Sequence, residues 1–298
     1  MNKWITFIKE RFDPVSHFLM IVVFVAVHIL FAQRLYNVSL TTLQTTCLLS
    51  AVTLFYFKLR LYDEVKDYEL DVVINPYRPL PRGLLLHQDM YRGMQICIFL
   101  EVLFFSSQGL NAIRSLSIAI LYSLFMYKEF FIKDIIRPHL TTYAISHTVV
   151  TSLLSMAIFT FINQKTYSEN MFDRNLIYFA LSNWMLFNIF EFGRKTYAPS
   201  EERHNIDTYS SLFGKKLAVL LVLSLALVSF FLTINISILN SSFILYSNIV
   251  LFILLIANSL FYLVSNEVSH AKRYRLMSSV YIALFYLILI IDLLIKEH

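Results

Sequence analysis

Three aspartates, Asp63, Asp67 and Asp71, stand four residues apart in the stretch DEVKDYELDVVINPYRPLPRG. At about 100° per residue, a helix brings each one round to within roughly 40° of the last, so the three carboxylates share a face. Carboxylates stacked in this way repel each other unless cations sit between them. Pro76, Pro79 and Pro81 stop the helix just beyond the ladder, and Arg78 and Arg82 lie among them. The stretch follows directly on an apolar run of membrane-crossing length. A carboxylate ladder at a membrane face, beside an arginine-bearing proline loop, suggests a magnesium-diphosphate site.

A second constellation closes NIFEFGRKTYAPSEERHNIDTYSSLFG, where Asn188, Glu191 and Lys195 fall at i, i+3 and i+7 and so share a helix face. Pro199 ends that helix, and Asp207-Thr208 could start the next segment. Both stretches also have a plainer reading as solvated helix ends, with Asp63 and Glu64 pairing with Lys66. Elsewhere, Tyr127-Lys128-Glu129, Lys133-Asp134 and Arg137 cluster after an apolar run. His139 and His147 sit eight apart on another, where helix packing competes with a role as base or ligand. Glu101 is an ionisable residue inside an apolar segment, which is a functional hypothesis by default. Cys47 and Cys97 lie in apolar segments away from any metal-ligand spacing and read as small hydrophobes.

The elements that must position these groups are membrane helices. The chain of 298 residues is 57% hydrophobic and 15% charged, with only 5 glycines and 6 prolines, too few for a loop-rich or β-barrel protein. Nine spans are expected, at about 15–35, 41–59, 92–109, 112–131, 140–162, 175–193, 216–236, 243–264 and 275–295. The polar connections 60–91 and 194–215 are long, and those near Asn37, Gly109, Asn163 and Asn235 are short. With the amino terminus and every second connection on one side, that side holds 20 of the 25 lysines and arginines. Only Arg34, Arg114, Lys165, Arg174 and Lys296 fall on the other. The positive-inside rule then places the amino terminus in the cytoplasm and the carboxyl terminus across an inner or plasma membrane. Positive-inside bias does not explain why Asp63, Glu64, Asp67, Glu69, Asp71, Glu191, Glu201, Glu202 and Asp207 gather on the same face. A polar cavity opening to the cytoplasm would. The expected fold is all-α, a single integral membrane domain over 1–298, and the net charge of +5 needs no nucleic-acid partner to explain it.

Asp63-x3-Asp67-x3-Asp71 followed by Arg78-Pro79-Leu80-Pro81-Arg82-Gly83 resembles the first aspartate-rich motif of the UbiA superfamily of intramembrane prenyltransferases, usually NxxxDxxxD and then RPLPSG. That family's nine-helix bundle, with this motif after the second helix, agrees with the spans above. Two departures stand out. Asp63 replaces the usual Asn, and the second motif, usually DxxxD, is replaced by Glu191-x3-Lys195. A charged lysine cannot ligate magnesium but can neutralise a phosphate oxygen.

The resemblance implies transfer of an isoprenyl group from its diphosphate to a lipophilic, often aromatic, acceptor within the membrane. Asp63, Asp67 and Asp71 would hold Mg2+, with Glu191 binding across the cavity alone or through a second ion. Arg78, Lys128, Lys133 and Lys195 are the candidate diphosphate partners. Aromatic faces stabilise an allyl cation and an apolar cavity excludes water. The candidates near the site are Tyr56, Tyr62, Tyr68, Phe130, Tyr143, Phe187 and Phe190, with His147 and Asn188 beside them. No obligate protein partner is evident. Two alternatives keep the same fold: a membrane terpene cyclase, in which the cation closes on itself, and a non-catalytic transporter or scaffold. Transporters often carry broken helices at mid-membrane, whereas here the polar motifs gather at one face.

Overall fold

A computed structural model describes residues 3–203 and 206–295, so His204, Asn205 and Lys296 lie outside the described residues. Among those residues the structure is helical with no strand. The helices are α1 (Lys3–Arg11), α2 (Pro14–Tyr36), α3 (Thr42–Lys66), α4 (Tyr68–Ile74), α5 (His87–Ser106), α6 (Leu110–Tyr127) and α7 (Lys133–Ile136). They continue as α8 (Leu140–Thr148), α9 (Val150–Asn163), α10 (Tyr167–Phe172), α11 (Arg174–Arg194), α12 (Tyr209–Ile234), α13 (Ser242–Val264) and α14 (Val268–Ile295).

The boundaries follow local chemistry. Asp13 caps α2, whose first residue is Pro14, and Asn37 closes it in a left-handed conformation at φ 53°. Thr41 and Gln44 form a capping box at the start of α3, and Thr208 caps α12. Each of the nine expected spans falls on a helix or on the α8–α9 pair. Six are long and apolar enough to cross a membrane: α2, α6, α8–α9, α12, α13 and α14. The other three long helices are more polar: α3 carries Lys58, Arg60, Asp63 and Glu64, α5 carries Asp89, Arg92 and Glu101, and α11 carries Arg174, Glu191, Arg194 and three asparagines.

Helix α11 is the hub, packed against α8, α9, α12 and α14, while α2 packs on α3, α9 and α14, and α3 packs on α5. At the α11–α14 crossing, a Cβ on Gly193 would lie 2.2 Å from that of Ser278, so only glycine allows this approach. Four helices meet at a fully buried polar knot. His28 of α2 and Asn183 of α11 both bond Ser155 Oγ of α9, at 3.0 and 2.9 Å, and Tyr286 of α14 donates to Asn183 Oδ1 at 3.0 Å. Polar groups in the hydrocarbon region must find partners inside the protein, so such a knot also fixes which helices are neighbours. Lys58 and Glu101 form a second buried contact at 2.5 Å between α3 and α5, both side chains wholly shielded.

Candidate active site

The ladder does not lie on one uninterrupted helix, as its spacing predicts. α3 ends at Lys66, Asp67 adopts φ −94° and ψ 4°, and α4 resumes at Tyr68. The backbone ladder still runs through, with Asp67 N–H bonded to Asp63 O and Asp71 N–H to Asp67 O, each at 2.9 Å. The bend disperses the three carboxylates. Asp71 is buried and accepts hydrogen bonds from Arg78 at 2.5 and 2.6 Å and from Asn75 at 2.9 Å. Asp63 is half-exposed and pairs with Lys66 at 3.3 Å. Asp67 stands between them, and its carboxylate makes no hydrogen bond or ion pair among the described residues. Burial, and then the negative charge of Asp63, push Asp67 up to about 6. Burial works against the charge on Lys66, but Asp63, Tyr143 and Asp67 together outweigh it and hold the ammonium above its ordinary value.

The proline loop turns tightly onto this helix end. Gly83 N–H reaches Leu80 O at 3.1 Å, and Gly83 takes φ +76°, where a side chain would be strained. The turn buries Leu80 and Leu85 and so holds Arg78 against Asp71.

The second constellation comes to the same place. Glu191 binds Arg194 at 2.6 Å and Lys195 at 2.7 Å. The charge of Asp63 acts on Arg194, and Asp63, Lys66 and Glu191 all act on the ring of His147. The ends of α3 and α11 therefore face one another across α8, at Tyr143 and His147. His147 stacks on Tyr143 at 3.8 Å, and Lys66 Nζ lies 5.4 Å from the Tyr143 ring centre. His147 Nε2 is buried with no hydrogen-bond partner among the described residues.

Beside this polar cluster lies an apolar cavity of about 420 Å³ between α2, α3, α11 and α14. Tyr56, Phe187, Phe24 and Phe190 contribute to its wall, with Tyr56 and Phe187 stacked at 6.1 Å. Tyr56 precedes Asp63 by seven residues and Phe187 precedes Glu191 by four, so each shares a face with its acid. At a rise of 1.5 Å per residue, the aromatic wall begins roughly 6–10 Å along the helices from the acids.

Several expected site residues are placed otherwise. Tyr62 is fully buried against Tyr127 at 4.8 Å, in a satellite core with Phe7, Leu61 and Met90, because it points to the α5–α6 side of α3. Tyr68 meets His87 edge-on at 4.5 Å in the same cluster. Asn188 is consumed by packing, donating to Trp184 O at 2.8 Å and accepting from Thr148 at 2.9 Å. Lys128 and Lys133 are exposed, the former with its ammonium 5.1 Å from the Tyr127 ring. Three consecutive left-handed residues, Glu129, Phe130 and Phe131, turn the chain between them. The cation that this segment lays against the end of α3 is Arg137, itself still exposed, bonded to Glu129 at 2.6 Å and to Lys66 O at 3.3 Å. Arg137 and Arg194 were weak signals in the sequence, each one basic residue among several at a membrane edge.

For magnesium the donor chemistry is suitable, since the ladder offers only carboxylate oxygens and Asp67 has no other ligand. Among the described residues no three His, Cys, Asp or Glu side chains stand together as a ready cage. Asp63 and Asp67 fit a cation that keeps several waters, and Asp71 would join only by leaving Arg78.

No family model matches the chain, and no curated protein matches it in sequence. Solved structures do match. A digeranylgeranylglyceryl phosphate synthase superposes with TM-score 0.63 at 15% identity, covering 98% of this chain and 99% of its own. A UbiA homolog from Aeropyrum pernix K1 superposes with TM-score 0.64 at 12% identity, covering 95% and 98%. This chain therefore has the fold of UbiA-type integral membrane proteins over nearly its whole length.

Proposed function

We propose that this protein is a magnesium-dependent intramembrane prenyltransferase, moving an isoprenyl group from its diphosphate to a lipophilic acceptor. The observation that carries the reading is the abutment of two environments. A cluster of paired acids and bases, Asp63, Asp67, Lys66, Glu191, Arg194 and Lys195, caps an aromatic cavity built on the same helix faces. A substrate with a multiply charged diphosphate head and an apolar tail matches both at once. The likeness to the digeranylgeranylglyceryl phosphate synthase is consistent with this class.

Magnesium held by Asp63 and Asp67 would neutralise charge that develops on the departing diphosphate. The chain's own groups do the rest. In the resting protein, each site acid except Asp67 is paired with a nearby base. With the acids engaged by a divalent cation, Lys66, Arg194 and Lys195 would be free to bind phosphate oxygens, as would Arg78 if Asp71 left it. Lys195, standing where a second metal ligand is usual, supplies positive charge directly. Tyr56 and Phe187 present aromatic faces to the allylic carbon and keep water away from it.

The test is to incubate the purified protein with magnesium and allylic isoprenyl diphosphates of several lengths, with and without aromatic or lipid acceptors. Diphosphate release that depends on acceptor supports transfer. Acceptor-independent release with a cyclic product would reassign the protein as a cyclase, and no release would leave a non-enzyme on this fold. Asp67→Ala and Asp71→Ala should each lower release by on the order of 10²-fold or more. Unchanged rates in both would sink the assignment.

A further inference from the structure

Helix α1 makes contacts that a mere surface helix does not need. Its nine residues, KWITFIKER, send three ion pairs to the region around the ladder. Arg11 binds Glu64 at 2.6 Å, immediately after Asp63; Glu10 binds Arg82 at 2.9 Å, inside the proline loop; Lys3 binds Asp89 at 2.7 Å, at the start of α5. Phe7 and Trp4 meet Phe57 of α3 at 6.0 and 6.3 Å, and Phe12 meets it at 5.3 Å. The helix thus grips the motif before, within and after its turn.

Glu64 is the pivotal contact. Its side chain is 1% exposed, Arg11 and Arg60 share one oxygen, and the other is buried without a partner. Consecutive helix residues point about 100° apart, so holding Glu64 toward α1 fixes the direction in which Asp63 points. Glu64 also lies within reach of the charge of Asp71, across the bend at Asp67. The turn that Arg82 helps to anchor carries Arg78, which holds Asp71.

We propose that α1 is a strap that sets the orientation of the aspartate ladder, with Arg11 acting through Glu64 as a positioning residue. For its activity readout this rests on the function proposed above; its structural readout does not.

The experiment uses the full chain in lipid nanodiscs and compares wild type with Arg11→Gln and with the conservative Arg11→Lys. Hydrogen exchange should accelerate about tenfold or more over 63–74 in Arg11→Gln, with α12–α14 unchanged. The magnesium concentration for half-maximal diphosphate release should rise several-fold, KM for the isoprenyl diphosphate should stay within about twofold, and Arg11→Lys, which keeps a positive charge against Glu64, should recover most of both readouts. Unchanged exchange over 63–74, or acceleration spread evenly along the chain, would overturn the strap. Absence of diphosphate release by the wild type would instead overturn the functional reading and leave the exchange data to judge the strap.

Discussion

Asp67 concentrates the tension between stability and function at the scale of one residue. Its carboxyl sits at about 6 in the folded chain, against 3.8 for the free group, with burial and Asp63 as the leading causes. The folded state therefore binds the proton more tightly than the unfolded chain does. Ionised Asp67 destabilises the metal-free fold, a cost absent below about pH 4 and fully present above about pH 6. Asp67→Asn removes that charge. In the presence of chelator the variant should melt about 2–4 °C higher than wild type at pH 7.5, and the advantage should vanish near pH 4. The same variant should lose diphosphate release. Equal melting temperatures at both pH values would show that Asp67 is not strained in the fold.

Elements meet here through contacts that leave little room for substitution. Lys58 and Glu101 tie α3 to α5 with both side chains shielded. Removing one partner strands a buried charge, so Lys58→Met should cost about 3–5 kcal/mol. Lys58→Met/Glu101→Leu should recover most of it, and denaturant unfolding in mild detergent would compare the three. The crossing of α11 and α14 depends on shape instead. Gly193→Ala pushes a methyl group to within 2.4 Å of Ser278 Oγ and should destabilise by about 1–3 kcal/mol, with Ser278→Gly restoring the space. Thermal melts of the single and double variants give the answer. Because Glu191 and Lys195 lie just either side of Gly193, the crossing also bears on where the second half of the site points.

Across the whole molecule, polar and apolar regions are segregated so that charge gathers at the ends of α3 and α11 while the cavity beside it is lined by rings. A ligand that bridges the facing acids and bases should stabilise the fold as a unit. Inorganic diphosphate with magnesium, at about 100 times its dissociation constant, should add about 2.7 kcal/mol. Diphosphate with chelator should add much less, and identical melting curves in the two conditions would argue against a shared metal-diphosphate site.

Much of this was legible in the chain. Hydrophobic runs need only length and composition to be recognised, so the helices fall where expected, and the regular spacing of Asp63, Asp67 and Asp71 marked the ladder without any knowledge of its neighbours. Directions across the bundle were not legible. Tyr62 and Asp63 are adjacent in sequence, yet one packs into a satellite core and the other faces Arg194, because a helix turns by about 100° between them. Nothing local distinguished Arg137 from Lys128 and Lys133 either. The left-handed turn at Glu129–Phe131 brings the chain back so that Arg137 reaches Glu129 and Lys66 O.

The sequence by itself determined the class of the elements, the place of the ladder and its proline turn, and the clustering of charge around the two polar connections. Each depends on the order of residues along one segment. Only the tertiary structure decided that Asp71 turns to Arg78 while Asp67 is left without a partner. It also decided that Glu64 faces α1 rather than the site, and that Tyr56 and Phe187 form one wall beside Asp63 and Glu191. Those outcomes depend on which helices are neighbours and how each is rotated. That choice is set by contacts between distant residues, such as Gly193 against Ser278 and the His28, Ser155, Asn183 and Tyr286 knot.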